Sequence, residues 1–162
     1  MKPKLEFIKT NLQSYTFNSP RIKEYVEKMC IGRTLNLFAG KIKLNINEYR
    51  VDIDNTYSPD VNLDAYEFIK NTNESFDTIL LDPPYSYRKS MEYYNGNYTS
   101  KFKLIADEIR LRGYKRVISF GYHTTFMGKI RGYELTELCV LAHSGAQHAT
   151  IVLTEDLTQG DL

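Results

Sequence analysis

Phe76-Asp77-Thr78-Ile79-Leu80-Leu81-Asp82-Pro83-Pro84-Tyr85 is the stretch that decides the fold. Up to Leu81 it is nearly continuously apolar, as a strand buried on both faces of a sheet should be. Two prolines then remove two backbone donors and stop the strand abruptly. A strand covered on both faces implies a parallel sheet with helices packed over it.

The flanking sequence fits that expectation. Downstream, Ser86 to Tyr98 has no clear period and contains Asn95-Gly96-Asn97, which reads as a loop. Ser100 to Arg112 places Phe102, Ile105, Ala106 and Ile109 on one face of a helix that Gly113 stops. Arg116 to Phe120 is a strand, and Thr124 to Ile130 reads as a short helix. Glu134 to Ala142 and Ala149 to Glu155 are two strands joined by His143-Ser144-Gly145-Ala146-Gln147-His148, a terminal hairpin.

Upstream, Ala65 to Lys70 is helical, and Val61 to Asp64 is a short strand or loop. Tyr49 to Asp54 is a strand ending in acid. Thr34 to Phe38 is another, broken by Ala39-Gly40. Asn18-Ser19-Pro20 is a helix start, a cap residue before a proline in the first turn. Ile22, Tyr25, Val26 and Met29 continue it to Cys30, and Gly32 ends it. Residues 1–19 are polar and mixed, with a short strand near Tyr15-Thr16-Phe17. Strands and helices alternate until the last pair, which predicts a mostly parallel sheet with one antiparallel strand in a single domain over residues 1–162.

Composition narrows the class. The 162 residues are 42% apolar, enough for a core, and the formal net charge of +1 argues against a strongly cationic nucleic-acid coat. Cys30 and Cys139 lie far apart in apolar runs without metal-ligand spacing, so they read as reduced core thiols and no metal site is expected. No run approaches the ~20 apolar residues of a membrane span, and no signal peptide is evident. These features point to a cytoplasmic protein.

In open α/β sheets, ligands bind beyond the carboxyl ends of the strands, where Asp82-Pro83-Pro84-Tyr85 sits. The carbonyls around the rigid prolines are free to face a ligand, Asp82 adds a second acceptor, and Tyr85 adds a flat ring. Two fixed acceptors suit the two hydrogens of a planar amine. Gripped in this way, its nitrogen pyramidalises and its lone pair localises without reorganisation of the site. The next residues mix rings with cations: Tyr87, Arg88, Lys89, Tyr93, Tyr94 and Tyr98. Aromatic and basic side chains so interleaved suit base stacking and phosphate contact, which makes Tyr87, Arg88, Lys89 and Tyr93 candidate substrate contacts. One acid at the end of the second strand, Asp52 or Asp54, is placed to hold ribose hydroxyls, as acids do in dinucleotide folds. Asp52 is the choice by position.

The Asp82-Pro83-Pro84-Tyr85 motif resembles the catalytic motif of the S-adenosylmethionine-dependent amino-methyltransferases, which act on adenine N6 or cytosine N4 of DNA. Relatives with similar motifs modify RNA. The resemblance implies a Rossmann-like, seven-stranded class I methyltransferase fold with an antiparallel strand in the C-terminal hairpin. It implies that Asp82 and the Pro83 or Pro84 carbonyl grip the amine while Tyr85 stacks on an extruded base. Asn36-Leu37-Phe38-Ala39-Gly40 resembles the family's glycine-bearing first loop, which implies cofactor contacts from Asn36, Phe38, Ala39 and Gly40. It departs from the pattern in having Asn36 for an acid and only one glycine. Gly40 to Asp52 is too short for a normal crossover helix, so that helix is shortened or lost. Asp64 resembles the acid that binds the cofactor's adenine amine. The helix from Pro20, with Phe17-Asn18-Ser19 before it, resembles the family element that closes over the methionine, and residues 1–19 are expected to pack over the cofactor site. The function so implied is methylation of a nucleobase amine, adenine N6 of DNA first. The alternatives are an adenine or guanine amine in RNA, or a non-catalytic binding module. With no separate target-recognition domain, specificity is left to the Ser86–Tyr98 loop, a homodimer mate or a partner protein.

Overall fold

The structure is a computed structural model that describes residues 2–11, 15–83, 101–145 and 148–159, with Lys101 described for its backbone alone. Strand β1 (Lys4–Thr10) is followed by a 3-10 turn (Thr16–Asn18) and helix α1 (Pro20–Met29). Strands β2 (Thr34–Asn36), β3 (Glu48–Asp52) and β4 (Val61–Asn62) come next, then helix α2 (Ala65–Asn71) and strand β5 (Thr78–Leu81). Helix α3 (Lys101–Arg112), β6 (Arg116–Gly121), β7 (Tyr133–His143) and β8 (Thr150–Leu157) complete the fold. The strands form one eight-stranded sheet in the order β1-β7-β8-β6-β5-β2-β3-β4. Only β8 runs antiparallel to its neighbours. This is the mixed α/β sheet the sequence predicts, a class I methyltransferase-type architecture with an eighth strand added at one edge.

That added strand is β1, in the segment read as polar and mixed. Its Lys4-Leu5-Glu6-Phe7-Ile8-Lys9 run alternates with period two, and it pairs in parallel with β7. The strand expected near Tyr15 is instead the 3-10 turn, and the helix expected over 124–130 does not form. There the buried Glu155 carboxylate accepts the backbone N–H groups of Met127 and Gly128, both at 2.9 Å. Gly128 (φ 68°) and Gly132 (φ 81°) bend the chain into a short 3-10 turn at Lys129–Arg131. Backbone donors committed to a buried carboxylate cannot also build a helical ladder.

The sheet separates two cores. On one face, α2 and α3 bury Phe68, Ile69, Ile105 and Ile109 against Leu35, Ile79, Leu81 and Val117. On the other, α1 lays Ile22 and Val26 over Leu80, Ile118, Cys139 and Val152. Helix α1 starts as predicted, with Ser19 Oγ accepting the Ile22 N–H and Pro20 in the first turn. All four residues of β5 are buried, which explains its unbroken apolar run. Strand β7 contributes to both cores. A bulge between Leu135 and Glu137 shifts its register against β8, so Tyr133 faces one core while Cys139 and Leu141 face the other.

Candidate active site

Strands β2 and β5 lie side by side, yet the chain leaves them in opposite directions. After β2 it moves out to β3 and β4, and it then returns across β2 to β5. That arrangement makes a topological switch point, where an α/β sheet opens a crevice at its carboxyl edge. Register aligns the residues there. Asn36 is level with Arg50 of β3 and with Leu80 of β5, and Leu81 is level with Ser119 of β6. Asp52 closes β3 and Asp82 follows β5, on either side of β2, while Phe120 lies in β6 and Phe38 in the turn after β2. After β2 the chain stays bonded to both neighbours but leaves the ladder: Leu37 N–H donates to Leu80 C=O (3.2 Å), and Ala39 N–H donates to Val51 C=O (3.0 Å), one residue out of step with β3.

No helix links β2 to β3. Residues 37–47 run as an irregular loop whose Leu44, Ile42 and Ile46 pack on the α1 side of the sheet. A buried polar network supports this loop from below. The Arg50 side chain, 4% exposed, donates to the carbonyls of Ala39, Gly40 and Tyr57. Its Nε lies 3.3 Å from Glu48 Oε1. Glu48 in turn accepts from Asn36 Nδ2 (2.9 Å) and from the Leu44 N–H (3.2 Å). Burial pushes the Glu48 carboxyl above its ordinary value, against the opposing pull of Asn36, the Leu44 amide and Arg50. Sequence reading missed Glu48 and Arg50. Their signal was a pair of opposite charges two residues apart, on one face of a strand whose other face is apolar.

Asp52 closes β3 and reaches back to the loop. Its Oδ2 accepts the Gly40 N–H at 2.8 Å, and its Oδ1 accepts the Asp54 N–H at 2.8 Å. Gly40 has φ 61°, and a Cβ built there would meet nothing closer than 4.0 Å, so the turn leaves open space beside the Asp52 carboxylate. Asp54 turns away to cap the 3-10 turn Asn55–Tyr57, and its hydrogen bonds to Thr56 hold its carboxyl below the ordinary range. Asp64 caps α2 by accepting from the N–H groups of Tyr66 and Glu67. Asn36 is fully buried beneath the loop, bonded to Glu48. Phe38 packs against Phe102 of α3, with centroids 6.1 Å apart.

Asp82 is half-buried and Pro83 is buried at the end of β5. Pro84, Tyr85, Tyr87, Arg88, Lys89 and Tyr93 lie outside the described residues. The turn before α1 crosses the same edge of the sheet. Tyr15 meets Tyr57 edge-on at 6.4 Å and carries Lys41 Nζ 5.5 Å from its ring centre, while Phe17 stands edge-on to Phe120 at 5.9 Å. Neighbouring Tyr15 holds the Tyr57 phenol above its ordinary range. At the far side of the edge, His143 Nε2 lies 3.0 Å from Thr150 Oγ1, and burial lowers the His143 pKa. Both cysteines are free, and burial raises each thiol to about 11, as expected of core residues.

The architecture matches solved structures. TrmN from Thermus thermophilus superposes over 86% of this chain with a TM-score of 0.60 at 15% identity. The match covers 49% of TrmN, so the chain spans about half its length. A putative methyltransferase, yhhF from Escherichia coli, superposes over 93% of this chain and 90% of its own, with a TM-score of 0.55 at 12% identity. No protein-family model and no curated protein matches the sequence. At these identities the likeness is one of fold alone. Among the described residues, no helix is long and apolar enough to cross a membrane.

Proposed function

We propose that the chain is an S-adenosylmethionine-dependent methyltransferase acting on an exocyclic amine of a nucleobase. The observation that carries the reading is the pair Asp52 and Asp82, at the ends of β3 and β5 on either side of β2 at the switch point. Adjacent strands lie about 4.8 Å apart, so the two carboxylates flank a span of roughly 10 Å. That span has room for a ribose at one end and a reacting amine at the other. S-adenosylmethionine fits the residues on the cofactor side. A carboxylate has about four acceptor sites, and backbone N–H groups occupy two on Asp52, which leaves two for a ribose diol. Gly40 opens the space beside it, and Asp64 stands at the start of α2 for the adenine amine. Phe38 and Ala39 line the loop, and Asn36 positions it through Glu48. The turn before α1, with Tyr15 against Tyr57, closes the same edge.

The cofactor supplies an electrophilic methyl group, so the protein need only present a nucleophile. Asp82 accepts one amine hydrogen, and the Pro83 or Pro84 carbonyl accepts the other. Together they draw the nitrogen toward a pyramid with its lone pair along the line of transfer. Tyr85 stacks on the base, and Tyr87, Arg88, Lys89 and Tyr93 hold the flanking strand. The substrate we assign is adenine N6 of DNA first and an adenine or guanine amine of RNA second, handled in the cytoplasm.

Incubation with labelled S-adenosylmethionine and separate DNA, RNA and small-molecule pools, followed by identification of the modified nucleoside, tests this. Label in a nucleobase amine supports the reading, and the labelled pool names the polymer. Absence of cofactor binding by calorimetry, even at millimolar concentration, refutes it in favour of a non-catalytic binding module.

A further inference from the structure

Among the described residues, strand β1 leaves its outer backbone edge and its Leu5–Phe7 face uncovered. It is the first strand of the sheet, so one whole edge of its backbone faces outward. Leu5 and Phe7 are 73% and 65% exposed. They stand opposite Leu138 and Val140 of β7, which continue to Leu153 and Ile151 of β8. Leu138, Val140 and Ile151 are half-buried and Leu153 is buried, so among the described residues the exposed part of this strip is Leu5 and Phe7. On the opposite face Lys4 Nζ bridges Glu6 at 2.6 Å, and Ile8 packs into the core with α1. Natural edge strands are usually blunted by bulges, internal proline or charged side chains, and strand β1 carries Lys4 and Glu6 on the face it shares with Ile8. Strand β1 runs seven residues in unbroken register, with no proline inside it.

The charges on β1 select a second β1 as partner. Two copies laid antiparallel about a two-fold axis through Leu5 put Lys4 opposite Glu6 and Glu6 opposite Lys4. On the other face the same register puts Leu5 against Leu5 and Phe7 against Pro3. Each residue from Pro3 to Phe7 thereby meets one of matching character. Moving the axis to Glu6 sets Glu6 against Glu6, and moving it to Phe7 sets Leu5 against Lys9. Like charges opposite one another are unfavourable, so the Leu5 register is preferred. We infer that the chain forms a homodimer through antiparallel β1–β1 pairing about Leu5, continuing one sheet across both copies and joining the two exposed Leu5–Phe7 faces.

Sedimentation velocity on the purified chain tests the inference, with a cross-link to fix the register. The wild type is expected at twice 18.9 kDa. Lys4→Glu and Glu6→Lys should each weaken the dimer at least ten-fold, because each homodimer then faces like charges. Mixed in equal amounts, the two variants should form a heterodimer. Leu5→Cys is exposed and leaves the core intact. Its sulfurs face each other across the axis at a Cα separation of about 4.5–5.5 Å, so mild oxidation should cross-link it. Lys9→Cys should not cross-link. A wild type that stays monomeric at high micromolar concentration overturns the inference. So does a Leu5→Cys protein that cross-links no better than Lys9→Cys or wild type.

Discussion

Replacing Arg50 with methionine tests whether the polar network beneath residues 37–47 sustains the fold at the site. Methionine keeps much of the side-chain volume but removes the charge and every donor. Three carbonyls, of Ala39, Gly40 and Tyr57, then lose their guanidinium partner. Glu48, with its side chain 4% exposed, loses the Arg50 cation 3.3 Å away. Leaving one member of a buried ion pair costs about 3–5 kcal/mol. For a domain of this size each kcal/mol moves Tm by about 2–4 °C, so Arg50→Met should melt roughly 6–20 °C below wild type. The pH dependence carries a sign. Burial already raises the Glu48 carboxyl above its unfolded value, and loss of Arg50 raises it further. The folded variant therefore binds a proton that the unfolded chain has released, and its stability falls as pH rises from the unfolded toward the folded value. The deficit against wild type should be largest near neutral pH and shrink as pH drops toward about 4. Adding Glu48→Gln removes the orphaned charge and should recover a substantial part of the loss. Calorimetric melts of the three proteins at neutral and acidic pH decide the matter. An Arg50→Met protein within about 2 °C of wild type at neutral pH would refute the reasoning.

Asp82→Ala should lower methyl transfer by at least about 10²–10³-fold, as loss of a fixed polar group at a reacting centre does, while calorimetry shows cofactor binding retained. An active variant would remove Asp82 from the grip. Asp52→Asn should weaken cofactor binding by about 10–100-fold, the equivalent of one charge-assisted hydrogen bond. Gly32→Ala should cost roughly 2–4 kcal/mol, because φ is 58° and the new Cβ would overlap the Asp77 carboxylate. A second substitution, Asp77→Ala, should relieve part of that cost. Lys115 and the Arg33 N–H hold the Asp77 carboxyl below its ordinary range, so Lys115→Ala should raise its pKa in an NMR titration. The stability Asp77 contributes is present above the unfolded carboxylate value and is lost as pH falls through the lowered one.

Most of the sheet was legible because its strands are buried on both faces, where the apolar run of β5 leaves no other element to propose. Helix α1 was legible from Ser19 and Pro20, residues whose local chemistry fixes a start. The lost crossover helix was legible from length alone, since Gly40 to Asp52 cannot hold a helix and two turns. What failed to read was set by tertiary partners. Residues 124–130 carry helical spacing, but a carboxylate 28 residues downstream of Met127 captures the backbone amides. Strand β1 hides its alternation beneath charged residues, because only one of its faces meets a core. At the site, Asp52 was legible from its place at a strand end. Glu48 and Arg50 were not, because their role depends on filling space that a helix leaves.

The bulge in β7 has a consequence for how this chain tolerates insertion and deletion. A strand side chain points up or down by its count along the backbone, and the extra residue near Thr136 resets that count. Tyr133 is thereby committed to one core and Cys139 to the other. Losing a single residue between Leu135 and Glu137 would turn one half of β7 inside out. It would exchange buried and exposed side chains along the strand that tethers β1, making that short segment the reading frame of the sheet's far edge.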